Sequence, residues 1–174
     1  MDRILIFDFG SQTTQLIGRR IREIGVFSEV VPGDVPLESL DMSDVKGVIL
    51  SGSPESVYEK GAPAPDPSVY ALSVPLLGIC YGTQRLMHDN GGRVVSHSKK
   101  EYGRAKVFFT GSDPLLSGVA NGFVSWMSHG DAIHTLAPGY RILAQTENEI
   151  PAVVRHAERP VWGLQFHPEV THCE

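Results

Sequence analysis

The segment GICYG, residues 78–82, limits most strongly what this chain can fold into. A mostly apolar run over residues 74–79 predicts a buried strand, and polar residues follow Cys80 at once. Glycines two positions before and after Cys80 are typical of a sharp turn from a strand into a helix, where the chain doubles back too closely for a Cβ. The segment therefore predicts an α/β fold with the thiol presented at the edge of a sheet.

Strand-like and helix-like patterns alternate through the first half of the chain. Apolar runs predict strands over residues 3–7, 26–31, 47–50 and 74–79. A helical stripe predicts a helix over 13–24, capped by Ser11 or Thr13, and a second helix is predicted over 82–90. A loop with four prolines at 54–67 precedes a short helix around 68–72. This alternation favours a parallel sheet with helices on both faces and a site at the carboxyl ends of its strands.

The second half of the chain contains strand candidates and few helical patterns. These candidates cover residues 93–97, 105–109, 122–126, 132–136, 141–145, 152–156 and 161–166. No linker or change in composition separates the two halves, so we expect one domain over residues 1–174. The predicted fold is an open, mostly parallel twisted α/β sheet with extra antiparallel strands in the second half.

Composition and charge argue against several kinds of partner. The net charge of the 174 residues is −5 and no block of basic residues occurs, which argues against nucleic acid. No apolar stretch reaches the roughly 18 residues of a spanning helix, and the N-terminus lacks the pattern of a secretion signal. We therefore expect no membrane partner and a cytoplasmic location. Two cysteines, Cys80 and Cys173, are too few for a disulfide framework.

Residues 167–169, HPE, follow an apolar strand and supply a base beside an acid. Proline favours an extended backbone at His167, in which residues i and i+2 point to the same side. Glu169 can then accept from one imidazole nitrogen and leave the other facing a nucleophile. The helix N-terminus after Cys80 favours a thiolate and directs the Tyr81 N–H toward an oxyanion. A buried structural cysteine and a surface His–Glu pair are the alternatives.

No metal or cofactor site is expected in this chain. His172 and Cys173 are adjacent near His167, but no fourth ligand completes a zinc pattern. No loop of the form G-x-x-x-x-G-K-S/T occurs, which argues against a phosphate-binding loop for ATP.

Several longer segments together suggest a family. PLLGICYGTQ and GLQFHPEV resemble the signature of the class I glutamine amidotransferases, whose fold is flavodoxin-like. A closer similarity to the glutaminase domains of GMP synthases rests on ILIFDFGSQTTQLIGRRIREIGVFSEV, GVILSGSPESV, VSWMSHGD and HPEVTH. These segments cover nearly the whole chain in the expected order.

The resemblance implies a role for each of nine residues. Three form a catalytic triad of nucleophile, general base and acid, and orienting carboxylate: Cys80, His167 and Glu169. Three contribute backbone N–H groups to an oxyanion hole: Gly52, Ser53 and Tyr81. Three hold the amino and carboxylate ends of glutamine: Gln84, Ser128 and Gly130.

Two departures from the family pattern affect these expectations. The usual middle loop has two glycines before its proline, whereas the second is Ser53 here. If that position needs positive φ or a peptide flip, serine raises the cost, and low activity without a partner is expected. Relatives also continue past HPEVTH into a closing helix and an ATP-using synthetase domain.

The resemblance implies hydrolysis of L-glutamine to glutamate and ammonia through a cysteinyl thioester. The ammonia would pass to an ATP-pyrophosphatase synthetase domain or subunit that uses ATP and Mg²⁺ to aminate XMP to GMP. The chain would then be a separate subunit or part of a longer synthetase. The alternatives are the glutaminase component of another biosynthetic amidotransferase and a non-catalytic thiol sensor or interaction module.

Overall fold

One mixed sheet organises the protein. The computed structural model describes residues 1–171 and 173, with only the backbone described for residues 98 and 99. Across these residues the sheet has nine strands in the order β2-β1-β3-β4-β9-β8-β7-β5-β6. The strands are β1 (Arg3–Asp8), β2 (Phe27–Pro32), β3 (Val45–Leu50), β4 (Leu76–Ile79), β5 (Arg93–Phe109), β6 (Phe123–Thr135), β7 (Tyr140–Thr146), β8 (Pro151–His156) and β9 (Val161–Leu164).

Strands β2, β1, β3, β4 and β9 are parallel and lie between two helices, α1 (Thr14–Glu23) and α2 (Tyr81–Asp89). Successive side chains of β1 point to opposite faces, as in any strand. Ile6 packs in one cluster with Ile17 of α1, whereas Phe7 packs in another with Leu86 of α2. The helices therefore cover opposite faces, as the alternating pattern predicted.

Strands β8, β7, β5 and β6 extend the sheet beyond β9 in antiparallel pairing. This part has its own apolar cluster, in which Val107, Leu143 and Val153 are fully buried. The predicted architecture, parallel strands extended by antiparallel strands of the second half, is confirmed.

Some predicted element boundaries were wrong. The candidates at 93–97 and 105–109 belong to the single strand β5, and those at 122–126 and 132–136 belong to β6. These two strands pair along most of their length, with a register irregularity between Ser96 and Glu101. Cross-strand pairing thus continues through polar residues that suggested turns. The helix expected at 68–72 is one short 3₁₀ helix, Pro67–Ala71, capped by the Asp66 side chain.

The parallel strands set the position of the site. β1, β3, β4 and β9 are neighbours and run in the same direction, so their carboxyl ends lie along one edge. The segments that follow these strands contain Ser11, Ser53, Cys80 and His167. No helix in the described part of the chain is long and apolar enough to cross a membrane.

Candidate active site

Cys80 lies in the turn between β4 and α2 with a backbone conformation that side chains disfavour. Its φ is 51° and its ψ is −110°. Within the described chain, it shares positive φ with a single other non-glycine residue, Glu149. The backbone N–H groups of Thr83 and Gln84 both donate to the Cys80 carbonyl, so α2 starts directly at the cysteine. Such strain costs roughly 1–3 kcal/mol and is common at functional sites.

The two glycines of this turn are needed for different close approaches. A Cβ on Gly78 would lie 2.8 Å from the backbone nitrogen of Thr83. A Cβ on Gly82 would lie 2.2 Å from the carbonyl oxygen of Leu50, at the end of β3. Neither distance leaves room for a carbon atom, which confirms the reason that the sequence suggested for both glycines.

His167 and Glu169 follow β9 and form a buried pair. Nδ1 of His167 lies 2.7 Å from Oε1 of Glu169. Because an ionised carboxylate only accepts, Nδ1 carries the proton in this bond. His167 and Cys80 line the same cavity, and the neighbouring Cys80 side chain acts to raise the pKa of His167. The structure thus brings together the nucleophile, base and orienting carboxylate that the two sequence motifs suggested.

The neighbours of His167 favour its charged form. Burial acts to lower the pKa of His167, but its hydrogen bonds to Cys80 and Glu169, with their charges, outweigh burial and raise the pKa to about 10. At neutral pH the imidazole is therefore protonated beside the sulphur. A protonated imidazole beside a cysteine is the kind of neighbour that favours thiolate over thiol.

Helix α1 holds Glu169 from the other side. Oγ1 of Thr13 donates to the same Oε1 of Glu169 at 2.7 Å, and Nε of Arg20 donates to the Glu169 backbone carbonyl at 3.1 Å. Thr13 precedes α1 but makes no side-chain capping bond to the helix. Sequence reasoning considered Thr13 only as a cap. Its partner lies 156 residues away, so no local pattern indicates the contact.

Gln165 is a second site residue that sequence reasoning missed. Its Nε2 lies 3.6 Å from Sγ of Cys80, and its Oε1 accepts from Nε2 of Gln84 at 3.3 Å. Nε2 of Gln84 also donates to the Asp131 carbonyl at 3.0 Å. Sγ itself lies 3.7 Å from the carbonyl oxygen of Ser128. The two-residue repeat of an extended chain is a signal that could have identified Gln165. Residues two apart point to the same side, and Gln165 lies two residues before His167.

A cavity of about 660 Å³ opens at the edge of the sheet where these residues meet. This volume falls within the range of small-molecule sites. Seven of the nine residues named from the sequence line it: Ser53, Cys80, Tyr81, Gln84, Ser128, Gly130 and His167. The other two lie next to His167. Glu169 is paired with its ring, and a Cβ on Gly52 would lie 3.1 Å from its Cε1.

The loop after β3 holds its peptide without left-handed strain. Ser53 is not among the non-glycine residues with positive φ in the described chain, so serine adds no such strain in this conformation. The hydroxyl of Ser51 donates to the Gly52 carbonyl at 3.1 Å and accepts from the Phe9 N–H at 2.9 Å. Because the carbonyl of Gly52 is held, the N–H of the same peptide, on Ser53, points the opposite way.

Among the described residues, no group of three or more His, Cys, Asp or Glu side chains is arranged to hold a metal ion. His172, which the sequence analysis considered as a zinc ligand and set aside, lies outside the described residues.

Comparisons with known proteins identify the family. A family model described as glutamine amidotransferase class-I matches residues 5–174. A glutamine-hydrolysing GMP synthase of Aquifex aeolicus is 48% identical over 169 residues, which is 97% of this chain and 33% of the relative. One of Brachyspira hyodysenteriae is 42% identical over 174 residues, which is 100% of this chain and 34% of the relative. The chain thus spans about a third of the length of these curated relatives.

A solved structure also matches the whole chain. A Thermoplasma acidophilum protein described as one subunit of a GMP synthase superposes with a TM-score of 0.86 at 28% identity. The match covers 100% of this chain and 87% of that one. A glutamine amidotransferase structure from Thermotoga maritima, with a TM-score of 0.75 at 21% identity over 97% of this chain and 76% of its own, shares the fold.

Proposed function

The chain belongs to the class I glutamine amidotransferases, and we propose from this premise that residues 1–174 form one glutaminase domain. It hydrolyses L-glutamine to glutamate and ammonia through a thioester on Cys80. The observation that carries the proposal is the meeting of three groups at the cavity. The thiol lies on a strained strand-to-helix turn, a protonated imidazole lines the same cavity, and a buried carboxylate orients the imidazole.

The first step uses the thiolate–imidazolium pair. The Cys80 thiolate attacks the side-chain amide carbon of glutamine and forms a tetrahedral oxyanion. His167 then donates its proton to the amide nitrogen, because NH₂⁻ is too basic to leave. Ammonia departs, and a glutamyl thioester with a neutral imidazole remains. His167 next takes a proton from water, the hydroxide attacks the thioester, and glutamate and the thiolate are regenerated with His167 protonated again.

The oxyanion is stabilised by backbone donors from two loops. The Tyr81 N–H lies at the start of α2, where the helix end favours negative charge. The N–H groups of Gly52 and Ser53 lie in the loop after β3. The Ser51 bond to the Gly52 carbonyl supports a role for the Ser53 N–H, because it holds that peptide in one orientation.

Cavity residues beside Cys80 bind the amino-acid end of glutamine. Both N–H donors of the Gln84 amide are used by the Asp131 carbonyl and by Gln165. The Gln84 oxygen therefore remains to accept from the α-ammonium group of the substrate. Ser128 and Gly130 line the same cavity and receive the α-carboxylate.

The ammonia serves a synthetase reaction. Relatives of about three times this length are named glutamine-hydrolysing GMP synthases, so we assign the chain to GMP and purine biosynthesis. An ATP-pyrophosphatase synthetase domain or subunit, in the cytoplasm, uses ATP and Mg²⁺ to aminate XMP to GMP. The support for this step is the identity to those relatives, since the cavity described here concerns glutamine hydrolysis and not the synthetase reaction.

Two alternatives make different predictions. The glutaminase component of another biosynthetic amidotransferase would share the triad, but the high identity to GMP synthases over nearly the whole chain favours the present assignment. A non-catalytic thiol sensor would need no oriented base. The His167–Glu169 bond at 2.7 Å therefore argues against a sensor.

Glutamate release from glutamine tests the proposal. We expect the purified chain, assayed alone and with a GMP synthase synthetase domain, ATP, Mg²⁺ and XMP, to release glutamate, with higher rates in the full mixture. Cys80→Ala should lower the rate by about a thousandfold or more, since no other nucleophile lines up with His167. Cys173→Ala is the control and should keep full activity. Turnover equal to that of Cys80→Ala in every mixture would contradict the proposal.

A further inference from the structure

Gln165 is a fully buried amide held rigidly behind the nucleophile. It directly follows β9, its side chain is essentially inaccessible at 1% exposure, and its backbone N–H donates to the Ala152 carbonyl at 2.8 Å. A buried amide needs partners for its donors and its acceptor. Two of these partners are groups that the reaction uses: Sγ of Cys80 at 3.6 Å and Nε2 of Gln84 at 3.3 Å.

The hydrogen-bond network determines which end of the Gln165 amide faces the sulphur. Gln84 donates to the Asp131 carbonyl, which can only accept, so the nitrogen of Gln84 points toward that carbonyl. The same nitrogen faces Gln165, which must present its oxygen there. The Gln165 N–H₂ group is then directed at Cys80. A reversed amide would set two donors against each other and an oxygen against the sulphur.

The sulphur needs such a donor because another neighbour opposes its negative charge. The carbonyl oxygen of Ser128 lies 3.7 Å from Sγ. This oxygen suits a thiol, whose S–H can donate to it, but it repels a thiolate. The Gln165 N–H has the opposite preference, because it donates only to the lone pairs of sulphur. A donor in this position therefore acts against the effect of the Ser128 carbonyl on a charged sulphur.

We propose that Gln165 is a further catalytic residue that donates a hydrogen bond to the Cys80 thiolate and joins it to the substrate-binding amide of Gln84. This inference rests on the proposed glutaminase function. It adds that recognition of the amino acid and activation of the sulphur share one buried amide.

Two substitutions separate the roles of the Gln165 donor and acceptor. Gln165→Glu keeps an oxygen for Gln84 but replaces the donor with a negative charge beside the sulphur. Gln165→Met keeps the length of the side chain and removes both groups. Gln145→Glu is the matched control, because Gln145 is a half-buried strand glutamine outside the cavity.

The rate of Cys80 alkylation by iodoacetamide, measured between pH 5 and 10, reports the fraction of thiolate and does not require glutamine turnover. We expect Gln165→Glu and Gln165→Met to need a pH about one unit higher for half-maximal alkylation. The reason is that losing a hydrogen bond to a charged atom changes an equilibrium constant roughly tenfold. Gln145→Glu should match the unsubstituted chain. In glutaminase assays, Gln165→Glu should lower kcat about tenfold with little change in KM, whereas Gln165→Met should also raise KM.

The outcomes decide the inference separately from the glutaminase proposal. Unchanged alkylation profiles in folded Gln165 variants would overturn it, even if the chain hydrolyses glutamine. Shifted profiles would support it even if no glutaminase activity is found. If neither variant folds, NMR of the unsubstituted chain decides. The Gln165 side-chain amide signal should move when Cys80 is alkylated, and a stationary signal would overturn the inference.

Discussion

The two parts of the sheet contribute to the site in different ways. The parallel part presents Cys80 and the oxyanion loop through backbone geometry, with two glycines at contacts where no Cβ fits. The antiparallel part lines the cavity with residues of β5 and β6 and supports them through buried polar side chains. Its central pair joins Nε2 of His129 to Oε2 of Glu101 at 3.1 Å. The parallel part should thus be most sensitive to added volume, and the antiparallel part to lost charge or hydrogen bonds.

The buried pair in the antiparallel part supports the substrate wall. Nδ1 of His129 lies 2.7 Å from the Asp131 carbonyl, which can only accept, so Nδ1 is protonated. Oε1 of Glu101 accepts from Thr146 at 2.8 Å and Asn148 at 3.1 Å. Asp131 is the residue whose carbonyl also receives Gln84. Glu101 therefore fixes, through His129, the position of a group that orients the substrate-binding amide.

The largest effect is expected from volume added to the parallel part. In Gly82→Ala the new Cβ would meet the Leu50 carbonyl at 2.2 Å, and a backbone atom cannot move away without separating α2 from β3. We expect a loss of about 4 kcal/mol or more in the free energy of unfolding, measured by urea denaturation. Gly61→Ala is the control, because its Cβ meets nothing within 4 Å and only its φ of 78° is unfavourable. Similar stability of the two variants would contradict a steric requirement at Gly82.

A smaller, pH-dependent loss is expected from Glu101→Gln. Burial acts to raise the pKa of Glu101, but hydrogen bonds from His129, Thr146 and Asn148, with the charge of His129, outweigh it and lower the pKa. A lowered carboxyl pKa stabilises the fold above the ordinary value of 4.5, and this contribution is lost as pH falls through the folded-state value.

We therefore expect Glu101→Gln to lose about 2 kcal/mol in the free energy of unfolding at pH 7, and less at acid pH. The KM for glutamine should rise, because the wall that holds Gln84 is displaced. Urea denaturation at several pH values and steady-state kinetics measure both effects. Glu147→Gln is the control, because the Glu147 side chain is exposed, and it should change the free energy of unfolding little at any pH. A stability difference for Glu101→Gln that does not vary with pH would contradict the role given to its charge.

Local patterns predicted contacts between residues close in sequence better than contacts between distant residues. The strand–turn–helix at Cys80 and the pairing of His167 with Glu169 depend on residues close in sequence, so spacing was sufficient. The contacts of Gln165 with Cys80 and of Thr13 with Glu169 join residues 85 and 156 positions apart. They depend on strand order and register, which one sequence does not specify. The same reason explains why the long pairing of β5 with β6 was predicted as separate strands.

The smallest effect tests whether the parallel part also contributes a side-chain hydrogen bond to the triad. Thr13→Val keeps the shape of the side chain but removes the hydroxyl that donates to Oε1 of Glu169. His167 still donates to that oxygen. Losing one such bond, worth about 1 kcal/mol, should lower kcat/KM for glutamine by about fivefold. The pH profile of kcat/KM should shift as well, because Glu169 raises the pKa of His167. Thr13→Ser restores a hydroxyl and should recover most of the activity.

Thr14→Val is the control for this last effect, because the Thr14 hydroxyl donates to Asp8 at 2.9 Å and does not contact the triad. It should lower stability without moving the pH profile. If Thr13→Val and Thr14→Val change only the melting temperature, the Thr13 hydroxyl contributes to stability alone. The parallel part would then act on the chemistry through its backbone and the triad residues themselves. A shift of the pH profile in Thr13→Val that Thr13→Ser reverses would instead show that the Thr13 hydroxyl, as well as His167, orients Glu169.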